Sequence, residues 1–306
     1  MTEQFSVRPL RREDMPACQA VYAACEAADG PQIFLSVEEM ASKLEYPHFG
    51  RDSSWVAEMD GRLVGCAINF ARRPDADEGL GRSVVRLNVH PEHRRRGIGT
   101  ALWRNAVEFH RAANFRRLDT NVYSTSDAGQ RFARRHGLQG VAKFWKMRLE
   151  PAAHRPGPRE HPASLRTYRL EDADRALLAE LFNESFAQHF GFTSASLEST
   201  RALERRPGFD VALIFLAEQG GRGVGFSRCE LDALKEGWVE VLGVVPAARG
   251  TGLGRRLLDH SVEELVKRGA ERVVLIVVGD NESALELYRS AGFTTELELH
   301  IFRPEL

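Results

Sequence analysis

The stretch that decides the fold is VVPAARGTGLGRRLL, running from Val244 to Leu258. A β-branched run and a proline precede glycines at alternate positions, Gly250, Gly252 and Gly254, and an amphipathic pattern follows. A strand that passes through a glycine turn into a helix leaves the first helical N–H groups unpaired, with the helix dipole adding partial positive charge. Such a loop suits phosphate, because glycine lets the backbone approach a pyrophosphate that a Cβ would obstruct. Upstream, NVHPEHRRRGIGTAL (Asn88 to Leu102) repeats the arrangement. Arg94, Gly97 and Gly99 stand 155 positions before Arg249, Gly252 and Gly254.

A chain of 306 residues, 43% of them hydrophobic, can fill two ordinary cores, which agrees with the repeat. Lys plus Arg number 42 against 43 Asp plus Glu, so no overall field gathers nucleic acid or anionic membrane. Arg94, Arg95 and Arg96 lie in a loop already explained by phosphate and do not make a nucleic-acid groove. No apolar stretch reaches the length of a membrane span, and MTEQFSVRPLRRED lacks the apolar centre of a secretory signal, so a cytoplasmic protein is expected. The cysteines Cys18, Cys25, Cys66 and Cys229 form no CxxC pair, and Cys18 with Cys25 falls on one helix face. Neither disulfides nor a metal site is expected.

Residues 151–162, PAAHRPGPREHP, hold four prolines and almost nothing apolar, so they read as a linker between domains 1–150 and 163–306. Each side gives the same order. A short strand and a helix come first, as in SLRTYRLEDADRALLAELFNESF, where Leu177, Leu178, Leu181 and Phe182 keep helical spacing. A hairpin and a further strand then lead into the glycine loop. Beyond it Leu253, Leu257, Leu258, Val262 and Leu265 make a helical stripe, as Ile98, Leu102, Ala106 and Phe109 do upstream. ERVVLIVVGDN reads as a central strand covered on both faces, and a short helix and an alternating strand (Leu297, Leu299, Ile301) complete the unit. The offset is still 155 at Gly137 and Gly292 but 160 at Gly65 and Gly225, which places five extra residues near RRPDADEGLG in the first half.

Two familiar phosphate loops do not fit, since there is no GxxxxGK[ST] and GTGLGR lacks a full GxGxxG with its ribose-binding acid. The segment resembles the acetyl-coenzyme A loop of the GNAT acetyltransferase superfamily, Val-x-Pro-x-x-(Arg/Gln)-x-x-Gly-x-(Gly/Ala). Val244, Pro246, Arg249, Gly252 and Gly254 match it, as do Val89, Pro91, Arg94, Gly97 and Gly99. The second half adds the family's Asn-x-x-Ala-x-x-Leu-Tyr-x-x-x-Gly-Phe helix as Asn281, Ala284, Leu287, Tyr288, Gly292 and Phe293. The resemblance covers nearly the whole chain as two tandem units. It implies an α/β (α+β) fold of two GNAT-like domains, each a mixed, mostly antiparallel sheet flanked by helices and splayed before the loop. Acetyl-CoA would be the cosubstrate lying in that splay. Contacts would come from Val244, Val245, Arg249, Gly250, Thr251, Gly252, Leu253, Gly254, Arg255 and Asn281, with the Val244 backbone as oxyanion partner. The first half would offer Val89, Arg94, Arg95, Arg96, Gly97, Ile98, Gly99 and Thr100.

Acetyl transfer from a thioester to an amine expels a thiolate, so a proton donor beside the sulfur speeds the collapse of the tetrahedral intermediate. In the family the tyrosine of the second motif usually fills that role, which here is Tyr288. Outside the motif the same residue would be a core aromatic. The amine must also lose a proton. Related enzymes often carry a glutamate six residues before the motif valine, but that place is Trp238; the nearest acid is Glu240, on the same strand face by period two or simply facing solvent. The first half has Ala133, Ser126, Ser83 and Val85 in place of Tyr288, Asn281, Trp238 and Glu240, so it is expected to bind or scaffold rather than catalyse. Asp119 and Asn121 interrupt its central strand, facing a polar pocket or a neighbouring lobe. Asn183, Glu184 and His189 lie where such folds build the acceptor pocket. The expected activity is N-acetylation of a small-molecule primary amine; acetylation of a protein N-terminus or lysine, and a non-catalytic acyl-CoA sensor, are the rivals. Neither the acceptor nor the oligomeric state is encoded in these motifs.

Overall fold

A computed structural model of the protein describes residues 5–30, 53–72, 82–113, 115, 117–189, 192, 194–206 and 208–305. The chain divides into two compact units, Met1–Lys143 with Leu297–Leu306, and Phe144–Glu296.

In the first unit β1 (Ser6–Pro9) is followed by α1 (Met15–Asp29), the hairpin β2 (Trp55–Met59) and β3 (Arg62–Arg72), then β4 (Arg82–Val89), α2 (Ile98–Ala112), β5 (Arg117–Tyr123) and α3 (Asp127–Arg135). The strands β1 to β4 pair antiparallel in order, and β4 pairs β5 in parallel. Alternation along β2 sends Trp55 and Ala57 to a core with Ile98, Leu102 and Ala106 of α2, and Val56 to a second core with Met15, Cys18, Val21 and Cys25 of α1. Cys18 and Cys25 thus share one buried helix face, as their spacing predicts. The five extra residues near RRPDADEGLG fall largely outside the described residues.

The second unit repeats this order with β7 (Ser164–Thr167), α4 (Asp172–Phe186), α5 (Leu197–Glu204), β8 (Ile214–Gln219), β9 (Arg222–Leu231), β10 (Glu236–Val244), α6 (Leu253–Lys267), β11 (Arg272–Val278) and α7 (Glu282–Ala291). Again the strands pair antiparallel up to β10, which pairs β11 in parallel. The α6 stripe Leu258, Val262 and Leu265 packs with Val273, Leu275, Leu285 and Tyr288. Leu253 and Leu257 turn to the α4 side with Leu178, Leu181 and Phe226.

The last strand of each unit comes from the other half of the sequence. β12 (Thr294–Arg303) lies antiparallel to β5, with Leu299 opposite Tyr123 and Phe302 opposite Thr120. β6 (Gln139–Leu149) lies antiparallel to β11, from Val273 opposite Leu149 to Val278 opposite Phe144. The compact units therefore differ from the boundaries expected at 150 and 163. Alternation identifies residues 294–303 as a strand but does not say which strand it pairs with. Residues 151–162 likewise do more than link. After a 3-10 turn at Pro151–Ala153 they strap α6: the Asp259 carboxylate, 6% exposed, accepts from Gly157 N and Arg255 Nε and bonds His154 Nε2.

Candidate active site

In both units the parallel pair comes apart just before the glycine loop. Pairing of β10 with β11 is recorded from Glu236–Arg272 to Val239–Leu275, while β10 continues to Val244. In the first unit it runs from Arg82–Arg117 to Val85–Thr120, while β4 continues to Val89. The parting explains Ile276, which the apolar run predicts to be covered. It is 43% exposed because it lies past the last residue of β11 with a β10 neighbour.

The loop after β10 makes a 3-10 turn at Pro246–Ala248, and Gly252, at φ 91°, starts α6 without a side-chain cap. Gly250 also needs positive φ, 75°. The first-turn N–H groups of α6 are therefore not taken up by a capping side chain. A Cβ built on Gly252 meets nothing within 4 Å, so the space in front of the helix is open. Arg249 donates from Nε to Val244 O at 3.2 Å and from Nη2 to Ser185 O at 2.9 Å, which locks the loop to α4. Thr251 donates to Ala248 O at 2.8 Å. Val245 and Leu253 turn their side chains into the core, 4% and 1% exposed, so only their backbones can meet a ligand. Arg255 is held by Asp259 and Ser290.

The first unit's loop is built alike. Gly97 starts α2 at φ 87°, and Arg94 donates from Nε to Val89 O at 3.1 Å. Its two terminal nitrogens grip the Asp29 carboxylate at 2.8 Å each, and Ser126 donates to Asp29 as well. Arg95 takes φ 67°, the position at which the second unit has Gly250. Arg96 Nη1 reaches Met59 Sδ at 3.7 Å, Ile98 is buried, Thr100 bonds His136, and Gly99 packs beside Phe132. A cavity of about 360 Å³ runs from this loop along the parted strands, with Val89, Arg94, Gly97, Gly99 and Thr100 in its wall. Among the described residues His90, Glu92 and His93 also bring metal-capable atoms within 4.8 Å of one another, a grouping that cysteine spacing could not reveal. Three consecutive arginines follow it and oppose a cation there.

Tyr288 lies on α7, whose N-cap is Asn281; the Asn281 side chain accepts the Ala284 N–H at 3.1 Å. A Cβ on Gly254 would stand 3.5 Å from Leu287 and 3.8 Å from Val244, so this helix packs directly on the loop. Tyr288 is 8% exposed, and burial pushes its phenol up to about 12. Glu240 is not on the face of Trp238 by simple alternation. A bulge intervenes, since Val239 opposes Cys229 and Val241 opposes Arg228, which leaves Glu240 as the extra residue where β10 leaves β11. Its carboxylate stands 3.7 Å from Arg228 Nη2. Trp238 is anchored by an indole N–H bond to Asp232 at 3.1 Å. Of the acceptor-side candidates, Asn183 has both ends of its amide bonded to the Ala195 backbone, closing a loop, and Glu184 is exposed. His189 is half-buried beside Phe186, and burial, with help from Arg249, lowers its imidazole below the ordinary value.

The sequence pattern of the acetyltransferase (GNAT) family matches residues 19–138 and 175–293. Mycothiol acetyltransferase of Geodermatophilus obscurus is 34% identical over 300 residues, 94% of this chain and 94% of its own. That of Thermobispora bispora is 34% identical over 302 residues, 95% and 97% of the two chains. Among solved structures, a GCN5-related N-acetyltransferase from Sphaerobacter thermophilus superposes with a TM-score of 0.81 at 25% identity, covering 98% of this chain and 95% of its own. A tandem GNAT protein from the clavulanic acid biosynthesis pathway gives 0.74 at 20% identity, covering 98% of each, and so shares the fold.

Proposed function

This chain belongs to the acetyltransferase (GNAT) family, and from that membership we propose that its second unit moves the acetyl group of acetyl-CoA onto the primary amine of a small molecule. Acetyl-CoA is the cosubstrate. The pyrophosphate meets the backbone N–H groups from Arg249 to Gly254 at the start of α6, and the thioester lies between the parted ends of β10 and β11 with the Val244 N–H beside its oxygen. These residues orient the acetyl carbon, and the backbone donor steadies the charge that develops on the thioester oxygen. Glu240, at the point where the strands part, takes the proton from the attacking amine. Tyr288 gives its proton to the departing thiolate. The observation that carries this reading is the packing of the Tyr288 helix against the start of α6, with Leu287 beside Gly254; burial, which pushes the phenol up to about 12, keeps it a proton donor at neutral pH.

The relatives named for mycothiol make a mycothiol-type amine the first acceptor to try. Trp238, standing where related enzymes often carry glutamate, gives reason to try other small amines beside it. No helix among the described residues is long and apolar enough to cross a membrane. The first unit has the loop and the splay but Ala133 in place of the tyrosine, and its role is to hold a coenzyme A ligand without turning it over.

The test is steady-state kinetics on the full chain with Tyr288→Phe. The ring is kept and only the proton donor lost, so kcat falls by about a hundredfold or more while acetyl-CoA affinity is unchanged. Near-full kcat, with chemistry rate-limiting, would return Tyr288 to the role of a core aromatic. In the same assay Glu240→Gln displaces the acidic limb of the pH–rate profile. An unmoved limb assigns the base to water.

A further inference from the structure

Among the described residues four buried polar atoms in the wall of the first unit's cavity have no hydrogen-bond partner; one, Nδ1 of His93, lies in the turn before the glycine loop, and the other three lie on α1, β4 and β5. Tyr22 on α1 is 6% exposed, and its hydroxyl makes no hydrogen bond among the described residues. Nη1 of Arg86 on β4 and Oδ1 of Asn121 on β5 are buried and equally unmatched. All three line the same cavity that the glycine loop opens into.

Their convergence follows from the strands. The Arg86 guanidinium sits 5.0 Å over the Phe70 ring, which packs with Met15, Val21 and Tyr22, so Arg86 points to the α1 side. Asn121 alternates with Leu118, a residue of the α2 core, and therefore turns the same way. Past Val85 and Thr120 the two strands have parted, and nothing from the sheet separates the two side chains from the cavity. Native interiors seldom leave buried donors and acceptors unmatched, and the three on α1 and the parted strands point to a ligand that completes them. The fold does not require them. At the equivalent positions, offset by 160 for α1 and by 155 for the strands, the second unit has Phe182, Val241 and Ile276.

The missing partner is an anion. Arg86 offers a cationic donor, and the nearby carboxylates are committed elsewhere, Asp29 to Arg94 and Ser126 and Asp119 to Arg303. Burial pushes the Tyr22 phenol well above its ordinary value, so it is a second donor at neutral pH. Two donors in the wall of one cavity match the two oxygens of a carboxylate. Asn121 then accepts an N–H or O–H of the same ligand.

We propose that the first unit's cavity binds a ligand carboxylate at Tyr22 and Arg86, supplied by the acyl chain of a coenzyme A thioester or by a free acid. The thioester arm rests on the reading that the first unit's loop holds coenzyme A. The free-acid arm does not.

Calorimetry on the full chain tests it, with acetyl-CoA, succinyl-CoA and free succinate as separate probes. Succinyl-CoA or succinate binds the first unit at least tenfold more tightly than the same probe binds the Arg86→Val or Tyr22→Phe chain, while acetyl-CoA affinity changes less than twofold. Both substitutions install residues the same fold already holds in the second unit, and Arg86→Lys restores part of the loss if charge is what matters. Dependence on Arg86 for succinyl-CoA alone assigns the acyl chain as the source, and for succinate alone the free acid. Equal affinity of wild type and variants for both carboxylate probes overturns the site. If instead Gly97→Asp leaves every coenzyme A ligand bound as before, the coenzyme reading of the loop fails, and the Arg86-dependence of succinate decides the carboxylate site separately.

Discussion

At single residues the loop is decided by backbone angles. Gly252 has φ 91° with empty space where a side chain would go, so a substitution there costs a left-handed conformation and fills the room proposed for the pyrophosphate. Gly252→Asp adds a negative charge at the helix start and is expected to abolish acetyl-CoA binding to the second unit in calorimetry on the full chain. If the first unit holds coenzyme A as proposed, its site should remain, because Gly97 is untouched. Unchanged affinity at both sites would remove the loop from the ligand's path. These residues were legible in the sequence because positive φ and close approach both demand glycine, and the demand repeats 155 positions apart. Glu240 was legible only as an acid near the right place. Its bulge inserts one residue into the alternation, and no composition signal marks where a ladder slips. Asn183 was misleading for a related reason, as an amide that closes a loop and one that meets a substrate look the same in a string of letters.

Between elements, each unit is clamped by an ion cluster that both halves encode and that pattern reading passes over. Arg8 on β1 holds Asp14 at 2.7 Å and Glu58 of β2 at 2.5 Å; Arg166 on β7 holds Asp174 at 2.6 Å and Glu218 of β8 at 2.7 Å. Each aspartate also accepts a backbone N–H, from Arg11 or Arg169, so it ties the first strand to the first helix. The signal was present as an arginine on the first strand and an aspartate at the helix start in both halves, but the differing separations in the chain hid it. The Arg166 hydrogen bonds lower the Asp174 carboxyl below its ordinary 3.8. A carboxyl depressed in the folded state adds stability that is present above its unfolded pKa and is lost as pH falls through the folded one. Asp174→Asn should therefore cost about 1–3 kcal/mol at pH 7, since a charged, mostly buried bond is removed. The variant and the parent should converge as pH drops below 4, a comparison that thermal unfolding across that range makes directly. Parallel curves at all pH values would show that the carboxylate's charge does not matter to the clamp.

For the chain as a whole, the unit of sequence repetition is not the unit of packing. Each half carries a full set of motifs, yet β5 takes its outer neighbour from residues 297–306, and β11 takes its own from residues 144–149. The first exchange is sealed by charge: Asp119 is fully buried, and Arg303 meets its two oxygens at 2.8 and 3.2 Å. The second places Met147 and Leu149, both fully buried, against the Leu258, Val262 and Leu275 core. A chain cut between the repeats, as 1–162 and 163–306, leaves the second half without the strand that covers β11. The first half is left with Asp119 short of its Arg303 partner, a loss of about 3–5 kcal/mol by itself. That is a large part of the stability of an ordinary domain. Expressed alone, each half should be insoluble or show low thermal stability. Expressed together they should co-purify, because each holds the strand the other lacks, and Arg303→Met should weaken that recovery. Two halves that fold separately, with sharp unfolding transitions and no association, would mean that β12 and β6 can fold back onto their own repeats.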